Sequence, residues 1–105
     1  MKTLIVEDNK TSGKLLKALL KSKTNQTVLV ENGLEALEKL KHTTFDLIIS
    51  DVQMPQLDGF TMILHIRNNA HLKHIPIILY SAIYTNINFE QMALEYGANR
   101  FVKKD

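Results

Sequence analysis

The chain has 105 residues, 45% of them hydrophobic, which suits one packed core and leaves too little for two ordinary domains. Thirteen basic and eleven acidic residues give a net charge of +2 with no basic run longer than Lys103-Lys104, so no direct nucleic-acid surface is expected. The absence of cysteine excludes disulfides, thiolate chemistry and cysteine-bound metals, and no apolar stretch approaches the roughly 20 residues of a membrane span, so a soluble cytoplasmic protein is expected.

Thr3 to Val6 reads as a short buried strand that stops at Glu7-Asp8-Asn9. Lys10 to Ser22 has Leu15, Leu16, Leu19 and Leu20 at helical spacing, with Lys14, Lys17 and Lys21 on the opposite face; the leucines are read as core and Asn9 or Thr11 as the cap. Thr27 to Glu31 is the second strand. Asn32-Gly33 then opens a helix with Leu34, Leu37 and Leu40 inward and Glu35 and Lys39 paired outward. Phe45 to Ser50 is the central strand, delivering Asp51 before the Val52 to Pro55 loop.

Asp58-Gly59 starts a third helix, with Phe60, Ile63, Leu64 and Ile66 buried, running to about Ala70. Pro76 to Ser81 is the fourth strand. The fourth helix, about Asn88 to Tyr96, turns Phe89, Met92 and Ala93 inward and ends at Gly97 in a left-handed conformation. Arg100 to Lys103 is the fifth strand. Five strands alternating with four helices predict a parallel sheet with right-handed crossovers.

In such a sheet the residues just past each strand's carboxyl end gather at one rim. That rim receives Glu7, Asp8, Asp51, Ser81 and Lys104. Two carboxylates about 4 Å apart repel by about 4 kcal/mol at an effective dielectric near 20. A hard divalent cation relieves this, and Mg²⁺ suits one or two carboxylates, waters and phosphate oxygens, with the Gln53 backbone carbonyl as a further ligand. A carboxylate beside that ion is able to attack a phosphoryl donor and form an aspartyl phosphate. Asp51, in mid-sheet, is the expected nucleophile, with Ser81 and Lys104 placed to take phosphoryl oxygens.

These residues resemble the receiver domains of two-component response regulators. Glu7-Asp8 stands for the family's acidic pair, Asp51-Val52-Gln53-Met54-Pro55-Gln56-Leu57-Asp58-Gly59 for its D-x-x-M-P-x-x-x-G segment, and Ser81-Ala82, Gly97-Ala98, Phe101 and Lys104 follow in order. The resemblance covers essentially the whole chain. It implies a flavodoxin-like, three-layer α/β fold with strand order 2-1-3-4-5. It also implies that Asp51 is phosphorylated from a phosphohistidine on a sensor histidine kinase or a histidine phosphotransfer protein. Mg²⁺ would be held by Asp8, Asp51, the Gln53 carbonyl and, often through water, Glu7. Ser81 and Phe101 would form the switch pair, changing the surface around residues 81–103.

The chain departs from the family where Asp105 follows Lys104, the family having proline there, and Lys103 is the alternative lysine if the alignment shifts by one. It also stops where the family's fifth helix begins. The expectation is therefore a receiver domain over residues 1–105, truncated before that helix or covered on that face by another chain, with a homodimer as one candidate. Such a domain catalyses only its own phosphorylation and dephosphorylation. Two other readings stay open: a pseudo-receiver that acts by binding, and a Mg²⁺-dependent phosphohydrolase, against which Gln53 stands where those enzymes carry a second acid. His71 and His74 form an H-x-x-H pair with no evident third ligand.

Overall fold

A computed structural model describes residues 1–21, 25–52, 57–81 and 87–103. Its elements are β1 (Lys2–Val6), α1 (Lys10–Leu20), β2 (Gln26–Val30), α2 (Gly33–His42), β3 (Leu47–Asp51), α3 (Gly59–Arg67), β4 (Ile77–Ser81), α4 (Ile87–Tyr96) and β5 (Arg100–Lys103). All neighbouring strands are parallel and the order is β2-β1-β3-β4-β5, the flavodoxin-like order. The predicted alternation holds, with β5 where it was expected and the other boundaries moved by no more than three residues.

Short polar residues start three of the helices. Asn9 Oδ1 accepts from Ser12 N at 2.9 Å, Asn32 Oδ1 from Glu35 N at 2.9 Å, and Asp58 Oδ1 from Thr61 N at 2.9 Å. Each satisfies an amide that the first helical turn leaves without a partner, worth about 1 kcal/mol. Gly97 ends α4 at φ 120°, with Gly97 N donating to Leu94 O and Ala98 N to Ala93 O. That pair of bonds is the left-handed helix stop expected from the sequence.

The two faces of the sheet are covered differently. Leu4, Val6, Ile48, Ile77 and Leu79 meet Ala36, Leu40, Met62, Ile63, Ile66 and Ala93 from α2, α3 and α4, and this is the main core. The other face carries α1, which packs on β1 and β2. Over the remaining strands an open apolar cavity of about 370 Å³ is lined by Leu15, Leu16, Leu19, Ile49, Ile78, Tyr80 and Val102.

This corrects the reading of the α1 leucines as core. Leu15 is 60% and Leu19 71% exposed, because among the described residues no element lies opposite them. Two other inward assignments are also overturned. Leu34 and Leu64 are exposed, and the small Ala36 and the flexible Met62 take the buried positions. Glu35 serves the Asn32 cap, and on α2 Glu38 forms an ion pair with Lys41 at 3.5 Å and a hydrogen bond with His42 at 3.2 Å.

Arg67, at the end of α3, ties the amino ends of β4 and β5 together. Its guanidinium donates to Gly97 O at 2.9 and 2.8 Å, Lys73 O at 2.9 Å, Ile75 O at 2.7 Å and Asn99 Oδ1 at 3.0 Å.

Candidate functional site

The strand order reverses direction between β1 and β3: the chain leaves β1 toward β2 on one side and leaves β3 toward β4 on the other. Open parallel sheets bind ligands at the carboxyl ends of strands at such a point. Glu7 and Asp8 follow β1, and Asp51 closes β3. One carboxylate oxygen from each lies within 4.8 Å of the others, and this is the cluster of metal-ligating side chains found among the described residues.

The three acids differ in surroundings. Glu7 is 2% exposed, Asp51 half-buried and Asp8 exposed. Glu7 Oε1 accepts from Tyr80 Oη at 2.7 Å and Oε2 from Asn9 N at 3.0 Å, while its own amide donates to Val30 O. Although Asp8 is exposed, its carboxyl is raised above its ordinary range, first by the partial desolvation of its place beside the other acids, then by a hydrogen bond with Glu7 and by that neighbour's charge. The Tyr80 phenol is raised far more, by burial and then by Glu7.

The Asp51 main chain is tightly held. Ser50 Oγ donates to Asp51 O at 2.9 Å, and Val52 N donates to Tyr80 O at 3.1 Å. Gly59 N, at the start of α3, donates to Val52 O. A Cβ at position 59 would lie 2.8 Å from Asp51 O, so only glycine lets α3 begin this close to the acid.

Asp51 pairs in register with Tyr80, which puts Ser81 one residue beyond that pairing, buried at the end of β4. Phe101 is half-buried against the core and pairs with Leu79, with Ser81 paired to Lys103. Glu7, Asp8 and Asp51 are thus brought together, and Ser81 stands at the same edge. Gln53 and Lys104 lie outside the described residues, as do Met54, Pro55 and Asp105. His71 and His74 line a cavity of about 270 Å³ with His42 at the opposite edge of the sheet, and they do not converge into a ligand set.

The sequence reading missed Tyr80, which looks like one more apolar residue in Ile77-Ile78-Leu79-Tyr80. A phenol placed at the strand end beside the rim residue Ser81 was the available signal.

The donor set is all carboxylate oxygen, with one member already resisting ionisation. That chemistry fits a hard divalent cation and not a soft one.

Residues 3–105 match the family described as the response regulator receiver domain. The chain is 36% identical over 106 residues to the hybrid signal transduction histidine kinase M of Dictyostelium discoideum, covering 96% of this chain and 4% of that protein. It is 31% identical over 101 residues to the polar-differentiation response regulator DivK of Brucella anthropi, covering 96% of this chain and 81% of the relative. The solved Mn²⁺-bound form of the response regulator Rcp1 superposes with a TM-score of 0.87 at 26% identity, over 99% of this chain and 81% of that one.

Proposed function

The chain belongs to the response regulator receiver domain family, and from that premise we propose that Asp51 is the phosphoacceptor of a two-component phosphorelay. The observation that carries the reading is the convergence of Glu7, Asp8 and Asp51 within 4.8 Å at the point where the strand order reverses.

Glu7, Asp8 and Asp51 would hold Mg²⁺, joined by the backbone carbonyl of Gln53. When bound, the ion neutralises charge on the phosphoryl oxygens. That a solved form of the similar response regulator Rcp1 is Mn²⁺-bound supports a divalent cation for this chain.

An Asp51 carboxylate oxygen forms the new P–O bond as the P–N bond to a donor imidazole breaks, and the departing nitrogen keeps that electron pair. The Ser81 hydroxyl donates to one phosphoryl oxygen and the Lys104 ammonium pairs with another. Phe101 follows Ser81 as the switch partner. Receiver domains exchange phosphoryl groups with histidine kinases and phosphotransfer proteins. A sensor histidine kinase or a histidine phosphotransfer protein is therefore the proposed donor, and the domain turns over no substrate besides its own phosphoryl group.

Incubation with acetyl phosphate and Mg²⁺ should add one acid-labile phosphoryl group to the intact mass, and Asp51→Asn should abolish it. No gain in the wild type supports a pseudo-receiver. Sustained release of inorganic phosphate from a phosphomonoester such as p-nitrophenyl phosphate supports the phosphohydrolase, because a receiver that cycles on acetyl phosphate also releases phosphate in excess of protein.

A further inference from the structure

Tyr80 belongs to none of the roles assigned above, yet it touches the acidic cluster from below. On β4 it pairs in register with Asp51, and with Ile78 it projects to the α1 side of the sheet. The residue is 6% exposed and its ring forms part of the wall of the cavity beside Leu15, Leu16 and Leu19. From there its hydroxyl passes the end of β3 and donates to Glu7 Oε1 at 2.7 Å.

Glu7 is thereby gripped on both oxygens, by a phenol on one and by the Asn9 amide on the other. Two donors at a fixed separation set the plane of a carboxylate. A phenol carries its proton at neutral pH, so its hydroxyl is available as the donor.

We propose that Tyr80 is a positioning residue for the divalent cation, holding the buried Glu7 carboxylate in the orientation in which the three acids converge. This rests on the reading of the cluster as a cation site. A ligand already fixed in place loses no further rotamer freedom when the ion binds. Partners that orient metal ligands typically change metal affinity roughly 10- to 100-fold when removed.

Tyr80→Phe keeps the ring in its wall and removes only the hydroxyl. Titration calorimetry with Mg²⁺ alone should show roughly tenfold weaker binding in Tyr80→Phe than in the wild type. Because the phenol acts through Glu7, the double variant Tyr80→Phe, Glu7→Gln should bind Mg²⁺ about as well as Glu7→Gln alone. Unchanged affinity in Tyr80→Phe, or losses that multiply in the double variant, overturns the positioning role while leaving the cation site standing. A wild type that binds no Mg²⁺ overturns both.

A second measurement does not depend on how Tyr80→Phe folds. In the Tyr84→Phe, Tyr96→Phe variant the remaining tyrosine is Tyr80. Mg²⁺ should produce a tyrosine near-ultraviolet difference spectrum that saturates with the calorimetric Kd, and a flat spectrum overturns the proposal.

Discussion

At Asp8 the electrostatic consequence of gathering three carboxylates shows in a single group. Its carboxyl is raised above the ordinary value, so the folded, metal-free chain holds this proton more readily than the unfolded chain. The stability from this group is fully present below the unfolded value of 3.8 and is lost as pH rises through the higher folded value. Lowering the pH from about 7 to about 4 should therefore raise the melting temperature of the metal-free wild type relative to Asp8→Asn. Saturating Mg²⁺ should cancel that relative gain, because proton and cation compete for the same oxygens. Thermal melts of both proteins across that range check the sign. The acids themselves are legible in the sequence, since an apolar run that ends in a charge fixes both the burial of the strand and the edge at which the charge emerges. Tyr80 is not legible in the same way. Its partner lies 73 positions away in sequence, and their meeting depends on which strands are neighbours and which face each residue takes.

The helices divide along similar lines. Their starts are readable because Asn9, Asn32 and Asp58 cap through contacts three residues long. Their buried faces are read less well, because a hydrophobic stripe says which side of a helix is apolar and not whether another element lies opposite it. On α1 the stripe is real, but Leu15 and Leu19 lean over strands that no described element covers on that side. On α3 the stripe is rotated, with Met62 fully buried and Leu64 outside. Urea unfolding should separate the two situations. Leu19→Glu is expected to change stability by less than about 0.5 kcal/mol, as for other exposed positions. Met62→Ala should cost about 2–5 kcal/mol, through lost transfer energy and the cavity left behind.

For the molecule as a whole, the parallel sheet is the decisive feature, since it sends every strand's carboxyl end to one edge. A cation that binds only the folded chain stabilises it by mass action, about 2.7 kcal/mol at a free concentration one hundred times Kd. The melting temperature should rise with Mg²⁺ and the rise should shrink at high salt, which differential scanning calorimetry at fixed pH would record. The same parallel arrangement gives the Arg67 clamp a further meaning. Its charge is met by main-chain carbonyls and an amide oxygen, with no carboxylate among these partners, at the amino ends of β4 and β5. Lys2 opens β1 at that end as well, while Glu7, Asp8 and Asp51 stand at the other. The net charge of +2 thus conceals a locally negative pole where the three acids converge, although Asp46 stands at the amino end and Lys103 at the carboxyl end of the sheet. A small cation approaching this nominally basic protein is drawn to that pole by the local field, because what steers an ion is the distribution of charge and not its sum.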